Sequence, residues 1–522
     1  KQGRHGLPPL TRGGTIGLPK RGGSPFFWMG EGTLQVPMSM HADNRARLCE
    51  ALRARPEIDA GAVVFLQGGR ELPVYDSDTN FGYRQESNFQ YLFGVKEADC
   101  LAALRVRDAR AVLFVPRLAM EYAKWMGPIK PPAWFHRAYG VDEVCHCDDK
   151  EVQEALERLE ASELLVFKGV NRDSGLQLPV PEILNGLEKP CISDSGSKAM
   201  WDEMNECRLI KSSDELRIMQ YVNDVSSEAH LETMRATRAG QREYLAEATF
   251  RYQAMLRGCF RTGYDCICPA GRRNAILHYG HAGEPNSESV LSGDLRLLDM
   301  GAEYHCYSAD VTCTFPASGR FSEAQKVVYG AVWAAVLAVE RQVKPGVCYK
   351  EMHRLAQSTL LHEMTLAGLF RGAVEDMMAA GVASYFMPHG LGHCLGLDVH
   401  DVGGYEPGVF RQDDPTIKEN LRLGRKLKEG MVITVEPGFY FVDYLVEEAL
   451  STVPQFINED RLRELWAEVG GVRIEDDVVI MAKGCRVLTC VPRSPEEIEA
   501  VMAGQPWTVG ASSCREYIAG AL

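Results

Sequence analysis

Five residues in the second half of the chain have side chains that bind metal ions: Asp299, Asp310, His393, Glu436 and Glu475. Each lies in or beside a short apolar stretch with a glycine nearby, which indicates a buried position. Buried carboxylates are rare unless they are paired or bound to a metal ion. Four carboxylates and one imidazole suit hard divalent cations. The five residues therefore predict a site for two divalent metal ions.

The sequence around the two aspartates predicts a β-hairpin that brings them together. If Tyr304 and His305 form its turn, Asp299 lies directly across from Asp310, with Cβ atoms about 4.5 to 5.5 Å apart. Two carboxylates at this distance repel each other unless a cation lies between them. The alternative is a hairpin with two solvent-facing acids, and Tyr-His is a poor two-residue turn.

The two glutamates follow β-branched stretches, which predict strands that each present one acid on the inward face. Strand alternation also places Arg473 beside Glu475, so a structural ion pair is an alternative for that acid. His389 and His393 are four residues apart, as in the zinc-protease helix, but the glutamate of that motif is absent and two glycines intervene. Glycines here allow close approach of backbone and metal, with one histidine as ligand and the other supporting it.

Composition places these residues in a large globular protein. The chain has 522 residues with 45% hydrophobic content, enough for two or more domains. Its net charge is -14. The first 24 residues carry five basic residues and no acid, so the net charge of the rest of the chain is -14 - 5 = -19. An acidic body argues against a nucleic-acid partner, because such binding requires Lys and Arg to neutralise phosphates.

Cysteine usage and hydropathy predict a cytoplasmic location. Sixteen cysteines are scattered along the chain without a C-x2-C pair, and no secretory apolar region precedes them. Disulfides are rare in the reducing cytoplasm. The longest apolar run begins at Val327 and is too short to cross a bilayer, so it predicts a buried helix and no membrane anchor.

Periodicity predicts an α/β domain followed by the domain that carries the metal ligands. Strand-like runs alternate with a helix near residue 152, whose apolar face comprises Val152, Ala155, Leu156 and Leu159. Ser212 and Glu215 have the spacing of a capping box, so a helix begins there, and we place the domain boundary just before it. The predicted parts are a disordered basic leader (1–24), an N-terminal domain (27–207), a catalytic domain (208–504) and a C-terminal tail (505–522).

Motifs along most of the chain resemble those of the prolidases, in the group that also contains creatinase, aminopeptidase P and methionine aminopeptidase. The resemblance runs from about Phe27 to Gly504 and includes LHYGHAG, LDMGAEY, FMPHGLGHCLGLDVHDVGGY, TVEPG, GGVRIEDD and LTCVPR. It implies a creatinase-like α/β N-terminal domain and an α+β catalytic domain of the pita-bread fold, a curved antiparallel sheet backed by helices. It also implies a homodimer.

The resemblance assigns the five residues as ligands of two metal ions per subunit. Asp310 and Glu475 bridge both ions, Asp299 completes the shell of one, and His393 with Glu436 complete the other. Manganese is expected, with Co²⁺, Fe²⁺ or Zn²⁺ as alternatives. Divalent metals lower the pKa of bound water to roughly 7, which makes hydroxide available as the nucleophile. Glu436 is then the general base as well as a ligand.

The resemblance also indicates residues that contact the substrate. His278 and His400 contact it and stabilise the tetrahedral intermediate, so they are predicted catalytic residues. Arg422 binds the terminal carboxylate of a dipeptide, a role suited to a bidentate guanidinium. Arg425 is the alternative for that role. Further predicted pocket residues are His389, Tyr264 and Trp125.

The expected activity is hydrolysis of dipeptides that end in proline or hydroxyproline. An X-Pro bond has no N–H, so strand-like binding cannot engage it and an apolar pocket for the ring is needed. The expected partner is the small dipeptide alone. One alternative is an aminopeptidase P that acts on longer Xaa-Pro peptides. The other is a catalytically inactive pita-bread protein that only binds ligands.

Overall fold

The computed structural model describes residues 16–17, 24–170, 177–178, 180–186, 190–409, 421–510 and 515–518. The chain divides into two compact units, Lys1–Cys207 and Arg208–Leu522. The disordered leader predicted for 1–24 lies almost wholly outside the described residues. Its described part differs from the prediction, because Ile16–Gly17 forms a short strand that pairs with Phe26–Phe27.

The described strands of the first unit are β1 (Ile16–Gly17), β2 (Phe26–Phe27), β3 (Val36–Pro37), β4 (Ala62–Gln67), β5 (Leu101–Arg105), β6 (Ala111–Val115), β7 (Glu143–His146), β8 (Glu163–Leu165), β9 (Gly169–Val170), β10 (Gln177–Leu178) and β11 (Cys191–Ile192). Six of them form a mixed sheet of order β11-β8-β4-β5-β6-β7. The described helices of this unit are α1 (Ser39–Arg53), α2 (Ser87–Phe93), α3 (Tyr122–Met126), α4 (Pro132–Tyr139), α5 (Asp149–Arg158) and α6 (Asp194–Leu209).

Helix α5 confirms the helix predicted near residue 152. Val152, Ala155 and Leu156 of α5 and Leu159, which caps it, are buried in one core cluster with Phe65 and Phe114 of the sheet. Burial of each Val or Leu side chain stabilises the unit by about 1.5 to 3 kcal/mol. The charged residues of α5 lie on its other face, as helical periodicity requires.

The second unit combines antiparallel strands with helices. Its strands are β12 (Arg261–Thr262), β13 (Leu295–Asp299), β14 (Ala302–Tyr304), β15 (Tyr307–Ser308), β16 (Thr312–Pro316), β17 (Val432–Val435), β18 (Gly438–Tyr440), β19 (Gly471–Arg473), β20 (Asp476–Met481), β21 (Gly484–Val487) and β22 (Glu516–Ile518). Its helices are α7 (Ser213–Ala236), α8 (Tyr244–Leu256), α9 (Glu323–Glu340), α10 (Tyr349–Leu366), α11 (Val374–Ala379), α12 (Val382–Phe386), α13 (Asp443–Thr452), α14 (Glu459–Glu468) and α15 (Pro495–Met502). Every described strand pair in this unit is antiparallel.

Two predicted helix features of this unit are confirmed. The Ser212 hydroxyl accepts a bond from Glu215 N at 3.3 Å, and the Glu215 carboxylate accepts one from Ser212 N at 2.8 Å, so α7 begins with a capping box. The apolar run from Val327 lies in α9, which is largely buried. Among the residues that the structure describes, no helix has the length and apolar character needed to cross a membrane.

Candidate metal and active site

Asp299 ends strand β13 and Asp310 lies just before strand β16, and the two strands pair in a hairpin that does not have the predicted register. Asp299 pairs with Thr312, and the turn lies at His305–Cys306. Both turn residues have positive φ, 52° and 66°, as a type I′ turn requires. The prediction that Asp299 lies directly across from Asp310 is therefore wrong. The turn is one residue later than predicted. The residue that pairs with Asp299 is therefore two positions later, and Asp310 lies diagonally opposite Asp299.

Three predicted ligands form a compact buried group. Asp310, His393 and Glu475 each offer a ligand atom, and these atoms lie within 4.8 Å of one another. His393 Nε2 is 3.2 Å from Asp310 Oδ2 and 3.5 Å from Glu436 Oε1. His393 Nδ1 is 2.9 Å from the carbonyl oxygen of Cys394. When Nδ1–H donates to that carbonyl, the lone pair of Nε2 faces the carboxylates, which is the tautomer of a metal ligand.

The carboxylates in this group have raised pKa values. Burial, followed by repulsion from neighbouring acids, holds the pKa of Asp310 and of Glu475 well above the usual range. Burial raises the pKa of Glu436 to about 7, although His393 lowers it. Several buried acids whose ionised forms repel each other are stabilised when a cation replaces their protons. The donor set therefore fits divalent metal ions.

Asp299 is held by protein donors at both carboxylate oxygens. Arg473 Nη2 donates to Asp299 Oδ2 at 2.6 Å, and the Tyr264 hydroxyl donates to Oδ1 at 2.5 Å. The sequence also allowed an ion pair between Arg473 and Glu475. That alternative is wrong, because the described ion pair of Arg473 is with Asp299. Another guanidinium nitrogen, Nη1, donates to the Tyr440 hydroxyl at 2.9 Å.

Sequence reasoning did not include two threonines that support the candidate ligands. Thr312 Oγ1 donates to Glu475 Oε2 at 2.6 Å and accepts from Arg473 Nε at 3.1 Å. Thr434 Oγ1 accepts from His393 N at 3.1 Å. The sequence did contain a signal for Thr312. It follows Asp310 by two residues, and residues two apart in an extended chain point to the same face.

The three predicted substrate histidines differ in their surroundings. His400 is exposed, and its ring lies edge-on to that of His393 with centroids 4.4 Å apart. His278 is exposed in the turn after the short 3₁₀ helix Gly271–Ala275. His389 Nε2 is 3.0 Å from the Tyr440 hydroxyl, and burial lowers the pKa of His389 to about 3, so this imidazole is neutral.

The two arginines that were predicted as alternatives for binding the substrate carboxylate also differ in their surroundings. Arg425 is buried, and it donates to Glu406 Oε2 at 2.9 Å and to the carbonyl oxygen of Gly403 at 3.0 Å, which is a structural role. Arg422 is half-buried. The remaining predicted pocket residue, Trp125, is exposed on the first unit.

An α/β unit followed by an antiparallel α+β unit with a buried carboxylate–imidazole group defines a two-domain metal-dependent hydrolase. The sequence model of metallopeptidase family M24 matches residues 217–482, and that of the aminopeptidase P N-terminal domain matches residues 41–166. The chain belongs to metallopeptidase family M24, and its cofactor is a divalent metal ion.

Similar proteins agree with this assignment along almost the whole chain. The Xaa-Pro dipeptidase of Homo sapiens is 46% identical over 92% of this chain and 96% of its own length, and that of Rattus norvegicus is 45% identical over the same shares. The structure of a Pseudomonas aeruginosa aminopeptidase superposes with a TM-score of 0.72 at 31% identity, covering 90% of this chain and 98% of that one. A zinc-substituted E. coli aminopeptidase P gives 0.72 at 27% identity with the same coverage. The predicted fold, a creatinase-like α/β domain followed by a pita-bread domain, is confirmed.

Proposed function

We propose that this chain is a metal-dependent dipeptidase that hydrolyses dipeptides ending in proline or hydroxyproline. The observation that carries the proposal is the buried group of Asp310, His393 and Glu475, whose ligand atoms converge within 4.8 Å. The 46% identity to a human Xaa-Pro dipeptidase directs the choice of substrate.

Two metal ions per subunit would be held by the five predicted ligands, Asp299, Asp310, His393, Glu436 and Glu475. Because four of these side chains supply oxygen, Mn²⁺ is the proposed metal, with Co²⁺, Fe²⁺ or Zn²⁺ as alternatives. When bound, such ions polarise a carbonyl and activate a water molecule.

The chain's own residues orient the substrate and move the proton. Glu436 accepts the proton of the attacking water, as a carboxylate at the edge of the ligand group can. His400, packed against His393, and His278 contact the substrate near the scissile bond and stabilise the developing charge. Arg422 binds the terminal carboxylate of the dipeptide, while His389 and Tyr264 line the pocket.

A metal-titrated substrate panel tests the proposal. Chelator-treated protein is reconstituted with Mn²⁺, Co²⁺ or Zn²⁺ and assayed with Gly-Pro and with a Gly-Pro-Yaa tripeptide. We expect metal-dependent turnover of Gly-Pro and poor turnover of the tripeptide. Faster cleavage of the tripeptide would instead identify an aminopeptidase P, the activity named for the similar bacterial structures.

Asp310→Asn tests the ligand group directly. Loss of one charged ligand is expected to reduce metal affinity and Gly-Pro turnover by roughly 10²-fold or more. Asp443→Asn is the matched control, because Asp443 is exposed and pairs with Arg272. Full Gly-Pro turnover by Asp310→Asn, under metal concentrations that saturate the unmodified protein, would contradict the proposal.

Arg422→Met tests recognition of the substrate carboxylate. Loss of charge-assisted hydrogen bonds costs about 1.5 to 3 kcal/mol, so kcat/KM for Gly-Pro should fall about tenfold to a hundredfold, mostly through KM. Arg425→Met should instead lower the melting temperature, because Arg425 is buried and its hydrogen bonds to Gly403 and Glu406 are lost. An unchanged KM in Arg422→Met would show that another residue binds the carboxylate.

We further propose a homodimer located in the cytoplasm. No cysteine among the described residues takes part in a disulfide bond, which is consistent with a reducing compartment. Light scattering of the purified protein measures the subunit number, and imaging of the tagged protein in its source cells measures location. A monomeric mass or an exported protein would contradict these two points.

A further inference from the structure

The segment near the C-terminus adds an edge strand to the sheet that contains β20. Strand β22 pairs with β21, and the carbonyl oxygen of Arg515 accepts a bond from Val487 N at 2.8 Å. The backbones approach so closely that a Cβ on Gly484 would lie 1.9 Å from the carbonyl oxygen of Tyr517. This approach holds Arg515 at a defined position beside the sheet.

The Arg515 side chain enters the interior and meets two buried acids. Its Nη2 donates to Asp476 Oδ2 at 2.6 Å and to Glu340 Oε1 at 3.2 Å, and both carboxylates are fully buried. The guanidinium also lies 4.9 Å from the ring centroid of Trp333. A buried carboxylate is tolerated only when it is paired and hydrogen-bonded, so these contacts stabilise both acids.

A second arginine holds the other oxygen of Asp476. Arg493 Nη2 and Nε donate to Asp476 Oδ1 at 2.8 and 3.2 Å. The same guanidinium donates through Nη1 to the carbonyl oxygen of Thr312 at 2.8 Å, and through Nη2 to the carbonyl oxygen of Glu475. Asp476 therefore orients the guanidinium that links the backbones of the two strands at the candidate metal site.

Thr312 and Glu475, whose backbones Arg493 links, also bond to each other through their side chains. A guanidinium is rigid and planar, so rotation of the Arg493 guanidinium would move its N–H donors away from these two carbonyl groups. Arg515 is the second cation on Asp476, and without it one carboxylate oxygen loses its ion pair in a buried setting.

We propose that Arg515 is a positioning residue for the metal centre. Acting through Asp476 and Arg493, it fixes the backbone from which Glu475 and Thr312 present their side chains. This inference rests on the proposed role of Glu475 as a metal ligand. It gives the C-terminal strand a function in metal binding, although Arg515 itself contacts neither metal nor substrate.

Metal affinity of the chelator-treated protein tests the inference without relying on turnover. Mn²⁺ binding is measured by competition with a fluorescent chelator, alongside thermal unfolding of each protein. We expect Arg515→Met to weaken Mn²⁺ binding about tenfold, and Arg515→Lys to restore part of it because the cation is retained. The matched control is Arg463→Met, since Arg463 makes an exposed ion pair with Glu459.

A double variant separates positioning from simple stabilisation. Glu340→Gln replaces the other acid that contacts Arg515 with a neutral amide. At alkaline pH, where Glu340 ionises, Arg515→Met/Glu340→Gln should therefore regain thermal stability relative to Arg515→Met but not metal affinity. The inference is overturned if Mn²⁺ affinity returns together with stability, or if Arg515→Met binds Mn²⁺ like the unmodified protein. If the unmodified protein binds no divalent ion, the proposed metal centre fails and the inference fails with it.

Discussion

Individual side chains around the candidate site are connected by hydrogen bonds that join one predicted ligand to another. Thr312 bonds to Glu475 and to Arg473, and Arg473 in turn bonds to Asp299. Supporting partners of this kind orient ligands and raise their affinity for metal. The site therefore depends on residues that carry no metal-binding group.

Thr312→Val should weaken divalent metal binding about tenfold, because Glu475 loses a buried donor while the side-chain shape is nearly kept. Thr314→Val is a matched control on the same strand, since Thr314 Oγ1 donates to the carbonyl oxygen of Arg473 and not to a ligand. Both variants should lose about 1 to 3 kcal/mol of unfolding free energy. Titration with Mn²⁺ and denaturant unfolding measure the two effects, and equal metal affinities in the two variants would contradict the role of Thr312.

Among the elements, the hairpin of β14 and β15 decides where the aspartates lie. Tyr304 pairs with Tyr307, and both rings are fully buried. A turn at Tyr304–His305 would place Tyr304 in the loop and expose its ring to water, so burial of aromatic area favours the observed register. Turn propensity is a weaker determinant here, because His305 and Cys306 adopt positive φ at an energetic cost.

Gly301, between the two aspartates, should not tolerate a side chain. A Cβ there would lie 1.7 Å from the carbonyl oxygen of Ala309, so Gly301→Ala must separate the strands. We expect a loss of at least about 2 kcal/mol in unfolding free energy together with weaker metal binding. Gly330→Ala in α9 is the control, because that position has open space, and it should gain up to about 1 kcal/mol. Similar unfolding midpoints for the two variants would contradict this account.

For the whole molecule, the balance of buried charge links stability to pH. Burial raises the pKa of Glu340 to about 8 from an ordinary value of 4.5, although Arg515 lowers it. A group whose pKa is higher in the folded protein stabilises the fold below its unfolded pKa. That contribution is lost as the pH rises through the folded value. Glu340 therefore favours folding at acidic pH and less so at alkaline pH.

Glu340→Gln should remove this dependence. The unfolding free energy of the unmodified protein, minus that of Glu340→Gln, is expected to fall as the pH rises from 5 to 9. Denaturant unfolding of chelator-treated proteins at several pH values measures the difference, with Glu464→Gln, at an exposed helical position, as the control. A difference that does not change with pH would show that Glu340 ionises normally in the folded chain.

Local chemistry explains which features could be predicted from the sequence. Helix α5, the capping box of α7 and the buried α9 follow from periodicity and cap residues, and the candidate ligands follow from residue type, because these signals lie within a few neighbouring positions. The hairpin register, the pairing of Arg473 with Asp299 and the entry of Arg515 beside Asp476 were decided only by the tertiary structure. They depend on which side chains are buried together across strands distant in sequence, and no local pattern encodes that choice.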